Sequence, residues 1–536
     1  MDGNGNEHDN LQINVERFGL RPEAIDELSR AAFELPALRE RLREKRNRLL
    51  SIELEDAEVD GKTSAPAPPD RYRATIYNYD ENQVISAVGR IDGRESVEVS
   101  EAGYQPLPTE QEFEEAVEVL EEDLDLGPAI SERWLVPYRP MPPLIDAELP
   151  DGRMERTVAV GLMPQGDGGR HEIVGVNMIH RTVSRFPGRA PELSAARAAV
   201  CGLPNANQPT TSRGTPGQFR VRINRGGTEL WSFLVVRPAA SSGTNGSGVE
   251  LRRVDYRGKR VLFRAHAPIL NVRYNGNACG PFRDWQWQES RFQADGTDVA
   301  PGIRRCPTPA QTILESGTDT GNFRGVAIYR VGQETVLVSE MEAGWYRYVS
   351  EWRLHENGTI RPRFGFAAVR NSCVCEVHHH NVYWRLDFDI GTAENNMVRE
   401  FNSPPIFPPN NWHTHRFEAT RRRRPELSRR WQVRNSQTDD AYDLIPGPDD
   451  GVADDFARSD VWILRFNEGE IDDGISAVPS QTGPSQANAP AEIGRFNNGQ
   501  SIRNQDVVVW YAAHFTHDVH EEAGHYVGPV LRPIQW

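Results

Sequence analysis

Hydrophobic and polar positions repeat with different periods in different parts of the chain. Residues 21–56 carry Leu, Ala and Ile at helical spacing without a glycine, which predicts one or two amphipathic helices. The stretch SAPAPPD at 64–70 ends them. From 71 to 100 the runs RYRATIYNY, VISAVGRI and ESVEVS, separated by Asp, Asn and Gly, predict a hairpin or a three-stranded sheet. In QPLPTEQEFEEAVEVLEED, Thr109 and Glu112 form a capping box, and Phe113, Ala116, Val117 and Leu120 fall on one face of the helix it starts. Strands followed by a packed helix make a small α+β domain.

The expected organisation is an N-terminal helical segment (1–65), the small α+β domain (66–190), and a linker rich in Ala, Pro, Gly, Ser and Thr (191–215). The region 216–536 is a succession of short β runs, among them ELWSFLVVRP, GVAIYRV, YRYVSEWRL, NVYWRLDFDI and DVVVWYAAHF, with turn signals between them and hardly any helical period. That pattern predicts a large antiparallel β-sandwich, so the fold class is mainly β. No repeat of fixed period interrupts it.

The 536-residue chain carries 61 Lys+Arg against 77 Asp+Glu, a net charge of −16, which disfavours a sequence-independent grip on nucleic acid or an anionic membrane face. No stretch reaches the roughly 18 apolar residues of a spanning helix. The start, MDGNGNEHDN, has neither a basic nor an apolar leader region, so a soluble, cytoplasmic protein is expected. Lys45, Lys62 and Lys259 are the lysines, which leaves few candidates for Schiff-base chemistry. Cys201, Cys279, Cys306, Cys373 and Cys375 are too few and too irregular for a disulfide scaffold or a zinc module.

Histidine is unevenly placed. Of 14, seven lie in two windows, His378, His379, His380 and then His514, His517, His520, His525. In a strand His378 and His380 share one face and His379 takes the other, which makes a two-imidazole clamp. A third histidine from another strand completes a copper or zinc site, since imidazole suits both ions. The alternative is a polar hairpin with exposed or core-satisfied histidines. A zincin is ruled out, because HEEAGH sets its second histidine one residue too far for HExxH.

The segment HHHNVYWRLDFDI resembles the HxH and RLDxD signature of the copper-containing, topaquinone-dependent primary-amine oxidases. NQDVVVWYAAHFTHDVHEEAGHYVGPVLRP resembles the C-terminal strand that brings their third copper histidine in a Thr-His pair. VSEMEAGWYRYVSEWRLHENGTI resembles the strand with the tyrosine that self-processes to topaquinone. RRWQVRN, AYDLIPG and SDVWILRF follow the family's order, and YRATIYNYDENQVISAVGRI is similar to one of its small α/β domains. The resemblance runs from about residue 70 onward. It implies that His378, His380 and His517 bind copper and that Tyr346 is the quinone precursor. It further implies that Asp387, the carbonyl of Phe388, Asp389, Asp506 and the carbonyl of Val507 form a peripheral calcium-like site, for which such hard oxygen donors are suited. A Cys279–Cys306 disulfide and a homodimer are also implied.

The implied activity is oxidative deamination of a primary amine to an aldehyde, with dioxygen reduced to hydrogen peroxide. Two departures keep other outcomes open. Tyr346 is flanked by Trp345 and Arg347, where the family has Asn and an acidic residue. The family's proton-abstracting aspartate has no direct counterpart in FRDWQWQESRF: Gln288 or Ser290 falls nearest, which leaves Asp284 or Glu289 as the substitute carboxylate. The alternatives are a mononuclear copper oxidase acting without topaquinone on another substrate, and a catalytically inactive copper-binding sandwich.

Overall fold

A computed structural model describes residues 11–55, 62, 65–93, 97–102, 105–140, 143–145, 147–148, 154–165, 172–185, 202–203, 214–275, 282–475, 490–517 and 525–536. Among these, two large sheets form the sandwich expected beyond residue 216. The ten-stranded sheet runs through Glu250–Tyr256, Lys259–Tyr274, His378–Phe388, Val507–His517 and Val461–Arg465 as antiparallel neighbours. The twelve-stranded sheet contains Glu334–Ala343, Tyr346–His355 and Ile360–Ala368, also antiparallel.

Why VVVWYAA lacks alternation is visible in its packing. Val507, Val509, Tyr511 and Ala513 enter the core between the two sheets, whereas Val508, Trp510 and Ala512 enter a second core on the sheet's other face with Ile269, Tyr383, Trp462 and Ile493. A strand covered on both faces needs apolar residues at every position. Its rigidity matters because His517 is its last residue.

The N-terminal third holds two four-stranded sheets where the sequence suggested one domain. Helices Pro22–Glu34 and Pro36–Leu42 pack on the sheet from Asn47–Glu55 to Val97–Ala102, and helix Glu110–Glu121 packs on the sheet of Leu135–Tyr138, Thr157–Pro164, Glu172–Asn177 and Thr182–Arg185. The capping box forms as expected: Thr109 Oγ1 accepts from the Glu112 amide and Glu112 Oε2 accepts from the Thr109 amide, both at 3.1 Å. The buried Glu112 carboxylate is also clamped by Arg156 at 2.9 and 2.7 Å.

Three expectations are corrected. The helical reading of 21–56 fails for Asn47–Glu55, a strand, because Leu50, Ile52 and Leu54 alternate with Ser51, Glu53 and Glu55 at period two. The segment 1–65 is likewise not only helical: Leu11–Arg17 pairs antiparallel with Gln218–Arg225 on the ten-stranded sheet. The implied Cys279–Cys306 bridge is absent, since Cys306 is a free, buried thiol, while Cys375 is disulfide-bonded. Cys279 and most of the expected linker lie outside the described residues. No helix among them is long and apolar enough to cross a membrane.

Candidate active site

Strand register sets the site. His378 stands opposite Tyr274 on one neighbouring strand and opposite His517 on the other. His378 and His380 point into the sandwich, 0% and 1% exposed. His379 takes the other face, its Nδ1 lying 2.9 Å from Thr516 Oγ1. His517 Nδ1 comes to 3.1 Å from His378 Nε2, and one ring nitrogen from each of His378, His380 and His517 lies within 4.8 Å of the others.

The protonation pattern favours a metal. His378 Nδ1 is 2.6 Å from the carbonyl of Glu376. A carbonyl only accepts, so Nδ1 carries the proton and Nε2 keeps a lone pair facing His517. His380 has no hydrogen-bond partner at either buried ring nitrogen. Leaving a buried polar group unsatisfied costs about 1–3 kcal/mol, and a metal ion at that nitrogen removes the cost. Burial, reinforced by the neighbouring imidazoles, lowers the pKa of His378 to about 3 and that of His380 well below the usual value. Both are therefore neutral at pH 7, the form that ligates. These two neutral imidazoles together with His517, which is only partly buried, fit a copper ion with an open position.

The facing sheet supplies the phenol. Tyr346 begins its strand, and its ring stands edge-on to His380 with centroids 4.7 Å apart and 5.8 Å from His378. The Tyr346 hydroxyl is 2.6 Å from that of Tyr274, whose ring stacks on His378 at 5.0 Å. Trp345 Nε1 donates to the same Tyr274 oxygen at 3.0 Å. Trp345 thus reaches the site through Tyr274, a residue the sequence reading did not single out. Arg347 points to the opposite face of its strand, where Asp319 holds it at 2.7 and 3.0 Å and Glu342 lies 3.5 Å away. That departure from the family pattern leaves the histidine side untouched.

The two candidate carboxylates behave differently. Glu289 is clamped by Arg237 through bonds of 3.1 and 2.6 Å, one to each carboxylate oxygen, in a buried ion pair. Asp284 is fully buried, accepts a hydrogen bond from the Tyr348 hydroxyl at Oδ2, and leaves Oδ1 without a partner. Burial pushes its pKa up to about 7, against the opposing hydrogen bond from Tyr348. Tyr348 stacks on Tyr346 at 5.4 Å, which places Asp284 one ring away from the candidate redox tyrosine. Gln288 accepts from Trp285 Nε1, and Ser290 donates to Glu340 at 2.8 Å, so both nearest-position residues have structural roles.

Residues 340–524 match the family described as copper amine oxidase, enzyme domain. The chain carries a divergent copper amine oxidase enzyme domain. The oxidase domain contains the whole histidine triad and Tyr346, and its fold is that of solved amine oxidases. A copper-containing benzylamine oxidase from Hansenula polymorpha superposes with a TM-score of 0.62 at 13% identity, covering 97% of this chain and 98% of that one. Pichia pastoris lysyl oxidase gives 0.56 at 11% identity with coverages of 97% and 90%. An Aspergillus nidulans amine oxidase gives 0.53 at 14%, with 97% and 88% covered. No curated protein matches the chain by sequence.

Other histidines close to the triad in sequence have separate surroundings. His514 is buried between Asn381, 2.7 Å from its Nδ1, and Asp460, 3.0 Å from its Nε2. His525 packs on Phe515 at 4.5 Å, and His520 lies outside the described residues. His413 and His415 gather around Glu400, a cluster the sequence reading passed over although HTH repeats the alternating pattern. Arg421, at 2.6 and 2.7 Å, and Arg429, at 3.0 Å, already supply the positive charge Glu400 needs, so this is an ion-pair knot. Asp387, Asp389 and Asp506 converge as expected, and Lys62 Nζ sits among them.

Proposed function

We propose that the protein is a copper-dependent primary-amine oxidase in which Tyr346 is the precursor of the quinone cofactor. The observation that carries this reading is the Tyr346 ring 4.7 Å from His380, an imidazole whose buried nitrogens have no other partner. His378, His380 and His517 would hold the copper. Copper and a tyrosine-derived quinone, when bound, supply the one-electron chemistry with dioxygen and the electron sink for the amine. In the net reaction one water and one dioxygen convert R-CH2-NH2 to R-CHO, ammonia and hydrogen peroxide.

The chain's own groups do the positioning and proton transfer. Asp284, ionised above its raised pKa, takes the proton from the carbon that bears the amine. Tyr274 fixes the Tyr346 oxygen, and Trp345 fixes Tyr274. The buried walls exclude water, so these dipoles act at low dielectric.

The test is hydrogen peroxide release by copper-loaded protein supplied with a small panel of primary amines, benzylamine and an alkylamine among them. One aldehyde per peroxide is expected. Copper-loaded protein that consumes no oxygen with any of them contradicts the reading. A second reading keeps copper and leaves Tyr346 unmodified. It is favoured by the pinning of Tyr346 between the Tyr274 hydroxyl and the Tyr348 ring, which restricts the phenol as it reacts. It predicts oxygen uptake with a non-amine substrate and no carbonyl-reagent adduct.

A further inference from the structure

Asp387 is the next-to-last residue of the strand His378–Phe388, Asp389 follows that strand, and Asp506 immediately precedes the strand that ends at His517. One oxygen of each lies within 4.8 Å of the others. The Lys62 ammonium stands 2.5 Å from Asp387 Oδ1, 3.1 Å from Asp389 Oδ1 and 2.7 Å from Asp506 Oδ1. Its side chain is only 8% exposed, with Nζ 3.8 Å from the centroid of Phe466 and 5.0 Å from that of Phe263. Arg253 Nη1 donates to the Lys62 carbonyl at 3.2 Å, so the backbone is held as well as the side chain.

The family resemblance implies a calcium-like ion here. Calcium takes carboxylate oxygens at about 2.3–2.6 Å. An ion bound by the same three oxygens would occupy nearly the position that Nζ holds, so lysine and calcium exclude each other. We propose that Lys62 is the built-in cation of this cluster: its ammonium replaces a divalent ion, pins the first small α+β unit to the sandwich without metal, and hides a calcium site that its removal uncovers.

Charge supports both halves of the inference. Burial opposes the charge on Lys62, but the three carboxylates hold its pKa above the usual lysine value. Burial and the crowding of like charges push Asp389 and Asp506 upward. Three carboxylates exceed one ammonium, even with Arg385 Nη1 3.5 Å from Asp387, so a surplus of negative charge remains to attract a divalent ion once the lysine is gone. Lys62 lies between strands Asn47–Glu55 and Arg71–Asn78 of the small unit, so the ion pair spans from that unit to the ends of the two copper-histidine strands.

The experiment uses the full-length, copper-loaded protein dialysed against calcium up to about 10⁻³ M, the weak end of biological calcium sites. Wild type is expected to retain no calcium, and Lys62→Gln is expected to gain one ion per chain and a calcium-dependent rise in its unfolding midpoint. Acetylation of wild type gives a second readout that needs no variant. Lys45 and Lys259, 32% and 44% exposed, are expected to react while Lys62 is protected, with or without calcium. Stoichiometric calcium in wild type that Asp506→Asn abolishes, Lys62 acetylated as fast as the other two lysines, or folded Lys62→Gln that takes up no calcium would each overturn the proposal.

Discussion

Asp284→Asn is expected to lower kcat for amine oxidation by about 10²–10⁴-fold, the usual contribution of a positioned general base. Asparagine keeps the volume and can still accept from Tyr348, so the buried surroundings stay filled, but it cannot take a proton. The wild-type pH profile makes the same point. The base acts when ionised and burial raises its pKa to about 7, so kcat/KM rises with pH through that region and falls below it. In Asp284→Asn this limb disappears while copper content is unchanged. A variant with wild-type kcat, or a profile that keeps the limb, assigns proton abstraction to another group. Glu289 is the poorer candidate because freeing it breaks a buried ion pair with Arg237.

His380→Ala is expected to abolish stoichiometric copper binding and all oxygen uptake. The weakening should exceed the roughly 10–100-fold that loss of an outer-shell partner costs, because the substitution removes a ligand itself. His380 is the most informative of the three histidines to remove. Neither ring nitrogen hydrogen-bonds to another protein group, so the substitution breaks no polar contact there, whereas His378 is tied to Glu376 and to His517. Circular dichroism reports whether the variant folds, and metal analysis after dialysis reports the copper. Full copper occupancy in folded His380→Ala would move the metal away from the triad.

Much of this site was legible because strand geometry is simple. Alternation alone puts His378 and His380 on one face, and the long apolar run before His517 marks a central strand that holds its last residue firmly in register with His378. Tyr346 was readable only by resemblance, since a buried tyrosine in a strand has no signature of its own. Choosing Asp284 over Glu289 required the structure, because the choice depends on Arg237, which lies 52 residues before Glu289 in sequence. Lys62 was equally hidden: a lone lysine beside a proline-rich stretch gives no sign that it will meet carboxylates more than 300 residues away. Local misreadings had a local cause. A helical period carried across residues 21–56 averaged over the period-two stretch that makes Asn47–Glu55 a strand, and the alternation in LQINVER was too short to stand out from the polar N-terminus.

Three imidazoles and one phenol placed around a single copper ion should leave a chemical mark on the phenol. Mass spectrometry of the peptide containing Tyr346, before and after metal-free protein is given copper and air, tests this most directly. A copper-dependent gain of two oxygens less two hydrogens on Tyr346, absent in His380→Ala, is expected. An unmodified Tyr346 in protein that has bound copper would contradict it.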